Sequence, residues 1–417
     1  MIVLVFYVVL FVGCYIAVRM VRRAVTPAAD FNSLKTVTFG DESAVKADRA
    51  ASILSVLCLF FIWGAFTNSS LVPLHVPGPY SGETQFTYSA RNAEGDIDTA
   101  TVFITVAAPG EEEIEREVEP GDGPALNDFG AASAWGSVLV RVTRNDEDGY
   151  EVFAINDSPI SANERVAVEG GEVVLTPRGS LNFVADSGLQ MQPIWLPPPE
   201  SIASRLVEIA NSGYQNSTLI EHLWASLYRV LGGFFFGALL GIPLGYAMGL
   251  SPWFRGWFDP IVEFMRPVPP LALIPLVIIW FGIGEQGKIV LLFLAALWIM
   301  TIAARAGVAG VNISKIHAAY SLGASKVQIL WHVIVPNSLP EIFTGARVAM
   351  GVCWGTVVAA ELVAATEGAG MMIIAASRFQ LTDIVILGII LIGLIGFGID
   401  ILMRAAENVL VPWKGKS

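Results

Sequence analysis

The sequence predicts a mainly α polytopic membrane protein with a β-rich domain inserted among its helices, and three observations carry that prediction. Of 417 residues, 54% are hydrophobic and 15% charged, and the mean hydropathy of +0.61 lies well above that of a soluble domain. Seven apolar runs come close to the roughly 20 residues that a helix needs to cross a bilayer. Between residues 67 and 193, β-branched and aromatic residues instead alternate in period two between turn signals.

The seven runs are Met1 to Val18, Ala50 to Phe66, Leu219 to Leu250, Ile261 to Phe281, Ile289 to Val308, Ile342 to Val363, and Ile384 to Met403. Orientation follows from Lys and Arg in short flanking loops. Arg19, Arg22, Arg23, Lys35, Lys46 and Arg49 lie between the first two runs, which places that loop in the cytoplasm and the N-terminus outside. Alternation then puts residues 67 to about 215 outside, the segment after Val308 inside, and Lys414 and Lys416 at a cytoplasmic C-terminus.

Charge agrees with this division. Between Thr67 and Glu200 there are 22 Asp plus Glu against six Arg and no Lys, a balance of −16, and the total of −12 leaves +4 for the rest. Within this acidic region, "TQFTYSARNAEGDIDTATVFITVAAPG" reads as a hairpin. "SVLVRVTRNDEDGYEVFAIND" and "RVAVEGGEVVLTPRGSLNFVAD" read as further hairpins of a sandwich-like fold. "EEEIEREVEPGDGP" reads as a solvated linker. "NDEDG" has carboxylates but not the spacing of a twelve-residue calcium loop, so a charged turn is the simpler reading. The predicted divisions are 1–49, an extra N-terminal helix and cytoplasmic loop; 50–66, a membrane helix; 67–193, the β-rich domain; and 194–413, a helical core.

Few motifs suggest chemistry. "GIGEQGK", Gly282 to Lys288, matches the start of a phosphate-binding loop, but Ile289 stands where the Mg²⁺-binding hydroxyl belongs and membrane runs flank it, so it reads as a tight turn. The four histidines are dispersed, no His/Cys cluster has metal spacing, and no basic patch suits nucleic acid. Gly233, Gly237, Gly241, Gly245 and Gly249 recur every four residues and predict a helix face that a second backbone approaches closely. Charged residues within spans are functional candidates by default. Glu263 and Arg266 are spaced to pair, and Arg229, Arg347, Asp400 and Arg404 lie near enough to span ends to reach headgroups or polar neighbours. Arg305 and Glu361 remain as candidates for a substrate pathway.

The stretch "HAAYSLGASKVQILWHVIVP", His317 to Pro336, stays polar between two apolar runs. Ser325 and Gln328 form a capping-box pattern, and Val327, Leu330, Trp331 and Ile334 recur at helical spacing. Two short amphipathic helices jointed at Gly323 are predicted, the second stopped by Pro336. Periodicity alone leaves open a pair of helices lying on the membrane surface.

The stretch resembles the E-A-A-x-x-x-G loop of binding-protein-dependent ABC importer permeases, in which I-x-L-P follows after nine residues. Ala318, Ala319, Gly323, Val333, Val335 and Pro336 occupy matching positions, and His317 stands where the family has Glu. "RPVPPLALIPLVIIWFGIGE", "LSPWFRGWFDPIVE" and "VVAAELVAATEGAG" extend the resemblance from about Ile194 to Trp413 and, more loosely, to the run at 50–66. They resemble the nitrate/sulfonate/taurine branch, most of all its taurine-transporting members. The extra N-terminal helix and the inserted β domain depart from that pattern.

The resemblance implies a six-helix permease core, seven membrane helices in all, in a bacterial inner membrane. It implies a homodimer in lipid, served by an extracytoplasmic substrate-binding protein and by two ABC ATPase subunits that dock on the loop at 311–340. His317, Ala318, Ala319, Gly323, Ala324, Ser325, Trp331 and Pro336 would carry that coupling. No catalytic residue, metal or directly bound cofactor is expected, and ATP and Mg²⁺ would sit on the partner ATPase. The implied cargo is a small sulfonate, taurine first, with other alkanesulfonates, nitrate or bicarbonate as alternatives. An ion-coupled secondary transporter and a membrane-anchored sensor are competing classes, disfavoured by the lack of repeat symmetry in the hydropathy and of a cytoplasmic output domain.

Overall fold

The computed structural model describes residues 2–25, 49–111, 116 and 118–413, and the chain divides into two units, Met1–Glu200 and Ser201–Ser417. Lys35, Lys46, Lys414 and Lys416 of the cytoplasmic charge bias lie outside the described residues, as do residues 112–115 and 117 of the acidic stretch.

The first unit opens with helices α1 (Ile2–Val25) and α2 (Arg49–Phe66). They meet through aromatic side chains, Tyr7 and Phe11 each with a ring centroid 5.9 Å from that of Phe61. The Tyr7 hydroxyl, otherwise a buried donor without water, donates to Leu74 O at 2.9 Å. Beyond α2, Ser69 Oγ and Ser70 N donate to the Glu200 carboxylate at 2.6 and 2.7 Å. Burial alone would raise that carboxyl, but these hydrogen bonds outweigh it and hold it below the usual range.

Nine strands follow among the described residues: β1 (Gly82–Arg91), β2 (Ile97–Ala107), β3 (Asp128–Ser133), β4 (Ser137–Val140), β5 (Glu151–Ile155), β6 (Ser158–Pro159), β7 (Arg165–Val168), β8 (Gly171–Leu175) and β9 (Leu181–Ala185). One sheet has the order β3-β2-β1-β5-β6, the other β4-β9-β8-β7. Alternate residues of both sheets enter one core, where Phe86 stacks on Phe183 at 6.4 Å. The β1–β2 hairpin forms in register, Phe86 opposite Val102, and Asn92 Oδ1 accepts from Glu94 N and Asp96 N to close its turn.

The second expected hairpin does not form. β4 pairs with β9 and β5 with β1, so the segment between them crosses from one sheet to the other. Asp146 of "NDEDG" explains the crossing, because its Oδ1 points inward and accepts from Leu126 N and the Tyr88 hydroxyl, both at 2.7 Å. The carboxylate thus caps backbone.

The second unit contains α3 (Pro199–Ser212, which begins at its edge), α4 (Leu219–Leu250), α5 (Pro252–Met265), α6 (Ile274–Phe281), α7 (Glu285–Ala309), α8 (Ile313–Ser321), α9 (Lys326–Ile329), α10 (Val335–Ala364), α11 (Ala369–Arg378) and α12 (Thr382–Leu410). Among the described residues, four helical stretches are long and apolar enough to cross a membrane: α4, α7, Lys326–Leu362 and α12. The run predicted as one span from Ile261 to Phe281 is instead α5 followed by Pro270–Phe281, bent by 94°. Pro267, Pro269 and Pro270 crowd the break, and each lacks the N–H that would carry a helix through it.

The α4 glycines govern the tightest contact. Gly233, Gly237, Gly241 and Gly245 are buried against α7. A Cβ added at Gly241 would lie 2.7 Å from Leu297 O, and at Gly249 2.8 Å from the Val308 side chain. The face touches backbone, so overpacking there costs about 1–3 kcal/mol.

Candidate coupling surface and the ionic clusters of the helical unit

At the end of the unit where α7 stops, α8 begins with Asn312 as N-cap, its side chain accepting from Ser314 N at 2.8 Å. Leu322 ends α8, and Gly323 reverses the chain at φ +80° with nothing within 4 Å of an added Cβ. Gly323 is therefore favoured by backbone conformation and not by space. Ser325 and Gln328 then close the reciprocal capping box. Ala319, Ala324, Ile329, Leu330, Val333 and Ile334 turn inward onto Val308 and Tyr246, while His317, Ala318, Leu322, Val327 and Trp331 face out.

Pro336 does not stop the second helix. A π-helical turn, Leu330–Ile334, joins α9 directly to α10, with Val335 N donating to Leu330 O. Proline lacks an N–H and its ring collides with the carbonyl four residues back, and the widened turn absorbs both effects. The knob is thus continuous with a membrane-length helix. Lys315 Nζ to Asn337 Oδ1, 2.7 Å, and Asn337 Nδ2 to Val333 O, 2.6 Å, tie α8 and the π turn to the start of α10. Tyr246 and Ser338 share a hydrogen bond, and Trp413 Nε1 donates to Pro336 O at 3.2 Å.

Arg305 and Glu361 do not meet. Arg305 lies at the loop end, paired with Asp259 and, at 2.9 Å, with Glu263. Its partners belong to α5, whose Glu263 also lies 3.8 Å from Arg266, the spacing pair expected from sequence.

Glu361 belongs to the opposite end, where it joins Arg229, Glu285 and Lys288, residues far apart in the sequence. Arg229 Nε and Nη2 fork onto the Glu285 carboxylate at 2.5 and 2.8 Å, and Nη1 donates to Glu361 Oε1 at 2.7 Å and Glu367 O at 2.8 Å. Lys288 Nζ reaches Glu285 at 2.8 Å. Ser226 Oγ and Gly370 N complete the shell of Glu361 at 2.8 and 2.9 Å. Two cations face two anions, with the Arg229 side chain 3% exposed and that of Glu361 fully covered. Arg229 is held by protein, not by headgroups.

The same shell fixes the turn into α11. Gly368, at φ +136°, has no room for a Cβ beside the Glu361 carboxylate. Its N–H donates to His222 Nδ1 at 3.1 Å, so the imidazole proton sits on Nε2 and donates to Tyr214 O at 2.9 Å. His222, Ser226 and Arg229 stand at i, i+4 and i+7 on α4 and continue the face of the glycines. That spacing was the signal available in the sequence. Glu285 and Lys288 were hidden in "GIGEQGK", where Glu285 in fact opens α7. The cluster locks α4, α7, α10 and α11 together.

The family of binding-protein-dependent transport system inner membrane components matches residues 237–409. The chain is 50% identical over 227 residues to the taurine transport system permease protein TauC of Escherichia coli (strain K12), covering 54% of this chain and 82% of that one. Identity to the putative aliphatic sulfonates transport permease protein SsuC of the same organism is 38% over 218 residues, 52% of this chain and 81% of that one. To the nitrate import permease protein NrtB of Synechocystis sp. (strain ATCC 27184 / PCC 6803 / Kazusa) it is 32% over 206 residues, 49% and 75%.

Proposed function

Because this chain belongs to the binding-protein-dependent transport system inner membrane components, we propose that it moves taurine, or a closely related small sulfonate, across the bacterial inner membrane. It is a multi-pass permease subunit of an ATP-driven ABC importer and not an enzyme, since its relatives are permeases whose partner ATPase hydrolyses ATP. It works with ATPase and substrate-binding components. Two copies form the pathway, with ATP and Mg²⁺ on two ATPase subunits. The spans in this reading are α4, α7, Lys326–Leu362 and α12, joined by the shorter apolar helices α1 and α2 and by the bent α5–α6 pair as one broken span, seven in all, with the N-terminus and β domain outside and the C-terminus inside.

The observation that carries the reading is the likeness to the taurine permease together with a coupling knob built as one piece with α10. A loop hinged freely on the spans would absorb an ATPase's motion, whereas the π turn, Asn337 and Ser338 carry it into the membrane. Drawing the two knobs together would then rotate helices as rigid bodies and switch access from outside to inside. His317, Ala318, Leu322, Val327 and Trp331 form the docking face, and His317, where the family has an acid, makes that contact without a carboxylate.

The test is taurine uptake into vesicles holding the permease with its ATPase and binding protein. Accumulation that requires ATP is expected, with alkanesulfonates, nitrate and bicarbonate as competitors to define the cargo. Accumulation that persists without ATP would overturn the reading in favour of an ion-coupled carrier.

A further inference from the structure

A third ionic group lies within the spans, between α10 and α12. Arg347 stands about 18 Å along α10 from Val335, and Asp400 about 15 Å along α12 from Leu410, so both lie well inside helices that cross the membrane. Arg347 Nε is 3.4 Å from Asp400 Oδ1, and Nη1 is 3.4 Å from Glu407 Oε2. Charge-assisted hydrogen bonds close to about 2.7–2.9 Å, as Arg404 does on Asp400 at 2.7 Å. Arg347 is held loosely by comparison, and its buried Nε makes no hydrogen bond among the described residues.

Arg347 and Asp400 line a cavity of about 280 Å³ with Gly351, Trp354, Gly396 and Met403. The indole is fixed, Nε1 donating to Ile392 O at 3.0 Å. Gly351 leaves its edge open, with nothing within 4 Å of an added Cβ. The volume falls just below the roughly 300 Å³ at which drug-sized pockets begin, and so suits a ligand of few heavy atoms. Arg347 and Asp400 remain about a third exposed. Charges left uncovered in hydrocarbon are costly, so this edge faces water or the second copy and not lipid.

We propose that the cavity between α10 and α12 is an intramembrane binding site for a small zwitterionic sulfonate, its sulfonate on Arg347 and its ammonium on Asp400. The proposal rests on the permease reading and adds a residue-level stopping point to it. The Arg347 fork supplies donors in the geometry that a multi-oxygen anion accepts. Asp400 accepts from the ammonium, and the Trp354 and Met403 surfaces cover the methylenes. Without a ligand the loose Arg347–Asp400 pair, backed by Glu407 on Arg347 and by Arg404 on Asp400, keeps the charges balanced. A zwitterion replaces that pair with two external contacts at no net change of charge, whereas nitrate satisfies Arg347 alone and leaves Asp400 without a new partner.

The experiment compares taurine with isethionate, in which a hydroxyl replaces the ammonium, using the full transporter with its ATPase and binding protein in vesicles. Asp400→Asn is expected to lose the preference for taurine over isethionate by about tenfold or more, and Arg347→Gln to lose uptake of both. ATP hydrolysis stimulated by the loaded binding protein should persist in each, which shows an assembled complex. Variants that keep both the taurine rate and the taurine-to-isethionate ratio of the unmodified transporter would overturn the site while leaving the permease reading intact. ATP-independent uptake by the unmodified transporter would overturn the permease reading itself.

A second measurement needs no change of charge. Gly351→Cys, in a Cys14→Ser/Cys58→Ser background, places a thiol at the open edge. Taurine is expected to slow its modification by a sulfonate-bearing methanethiosulfonate reagent, and an unchanged rate at saturating taurine counts against the site.

Discussion

At one end of the helical unit, Arg229 and Glu361 are covered almost completely by protein; at the other, Leu322 is 88% and Trp331 62% exposed. Charge is inside and apolar surface outside, each the reverse of ordinary sorting. The two inversions have different costs and different remedies. A buried ion pair is tolerable when every donor and acceptor is matched within one fixed geometry, which the Ser226, Gly370, Glu285 and Lys288 contacts provide. An exposed apolar patch is relieved by another protein that covers it. The first end is built for permanence within the chain, the second for a contact that is made and broken.

The largest expected effect breaks the first end. Arg229→Met leaves Glu361 buried without its cation and should lower stability by about 3–5 kcal/mol, read as a fall in the thermal midpoint of the detergent-purified chain. Arg229→Met/Glu361→Gln should regain part of the loss, because no buried charge is left unpaired. A single variant no worse than Arg255→Met, which removes only the 3.8 Å contact of a mostly exposed side chain to Asp259, worth about 0–1 kcal/mol, would end the contrast between the two ends.

The β domain sharpens the same comparison, since it half-buries two carboxylates, Asp128 and Asp146, that pair with no cation among the described residues. Asp128 and Asp146 each keep one oxygen without a hydrogen-bond partner among the described residues. Burial, with the Asp146 charge second, pushes Asp128 up to about 7 from an ordinary 3.8. The folded state therefore holds a proton that the unfolded chain releases, and stability falls as pH rises through the interval between those values. Above pH 7 the penalty is complete; below 3.8 it vanishes. Partial exposure screens the effect to about 1–2 kcal/mol. Asp128→Asn should remove it, raising the urea midpoint for proteolysis of the β domain in the full chain at pH 8 more than at pH 4.5. Equal gains at both pH values would mean that Asp128 is ionised throughout.

Legibility in the sequence followed physical rank. Hydropathy and period-two alternation are set by burial that neighbouring residues share, so the helices, the β1–β2 hairpin and the α4 glycine face could be read locally. Features decided by distant partners could not. β4 and β5 look like a hairpin, but separate sheets claim them. The Ile261–Phe281 run scores as apolar because hydropathy does not register the N–H groups its prolines lack. Pro336 reads as a helix stop until a π turn accommodates it. The Ser325 capping box was legible because both of its halves lie within four residues. The Arg229 cluster draws on four helices, and only the His222, Ser226, Arg229 spacing announced it.

The smallest expected change in stability probes the second end, and it separates the backbone role of Gly323 from its place on the docking face. At φ +80° a side chain costs about 1 kcal/mol in strain, and asparagine bears that conformation better than leucine does. Nothing within 4 Å meets the added carbon, so even leucine has room within the isolated chain. Gly323→Asn should therefore leave folding and ATP-driven uptake near those of the unmodified transporter. Gly323→Leu should fold with a similar thermal midpoint yet hydrolyse ATP without uptake, because its bulk projects where the ATPase docks. His317→Glu, which restores the family's acid on the same exposed face, should keep coupling intact. Normal coupling in Gly323→Leu would leave the knob as a surface helix with no partner to cover it, and the exposed apolar end would then need another explanation.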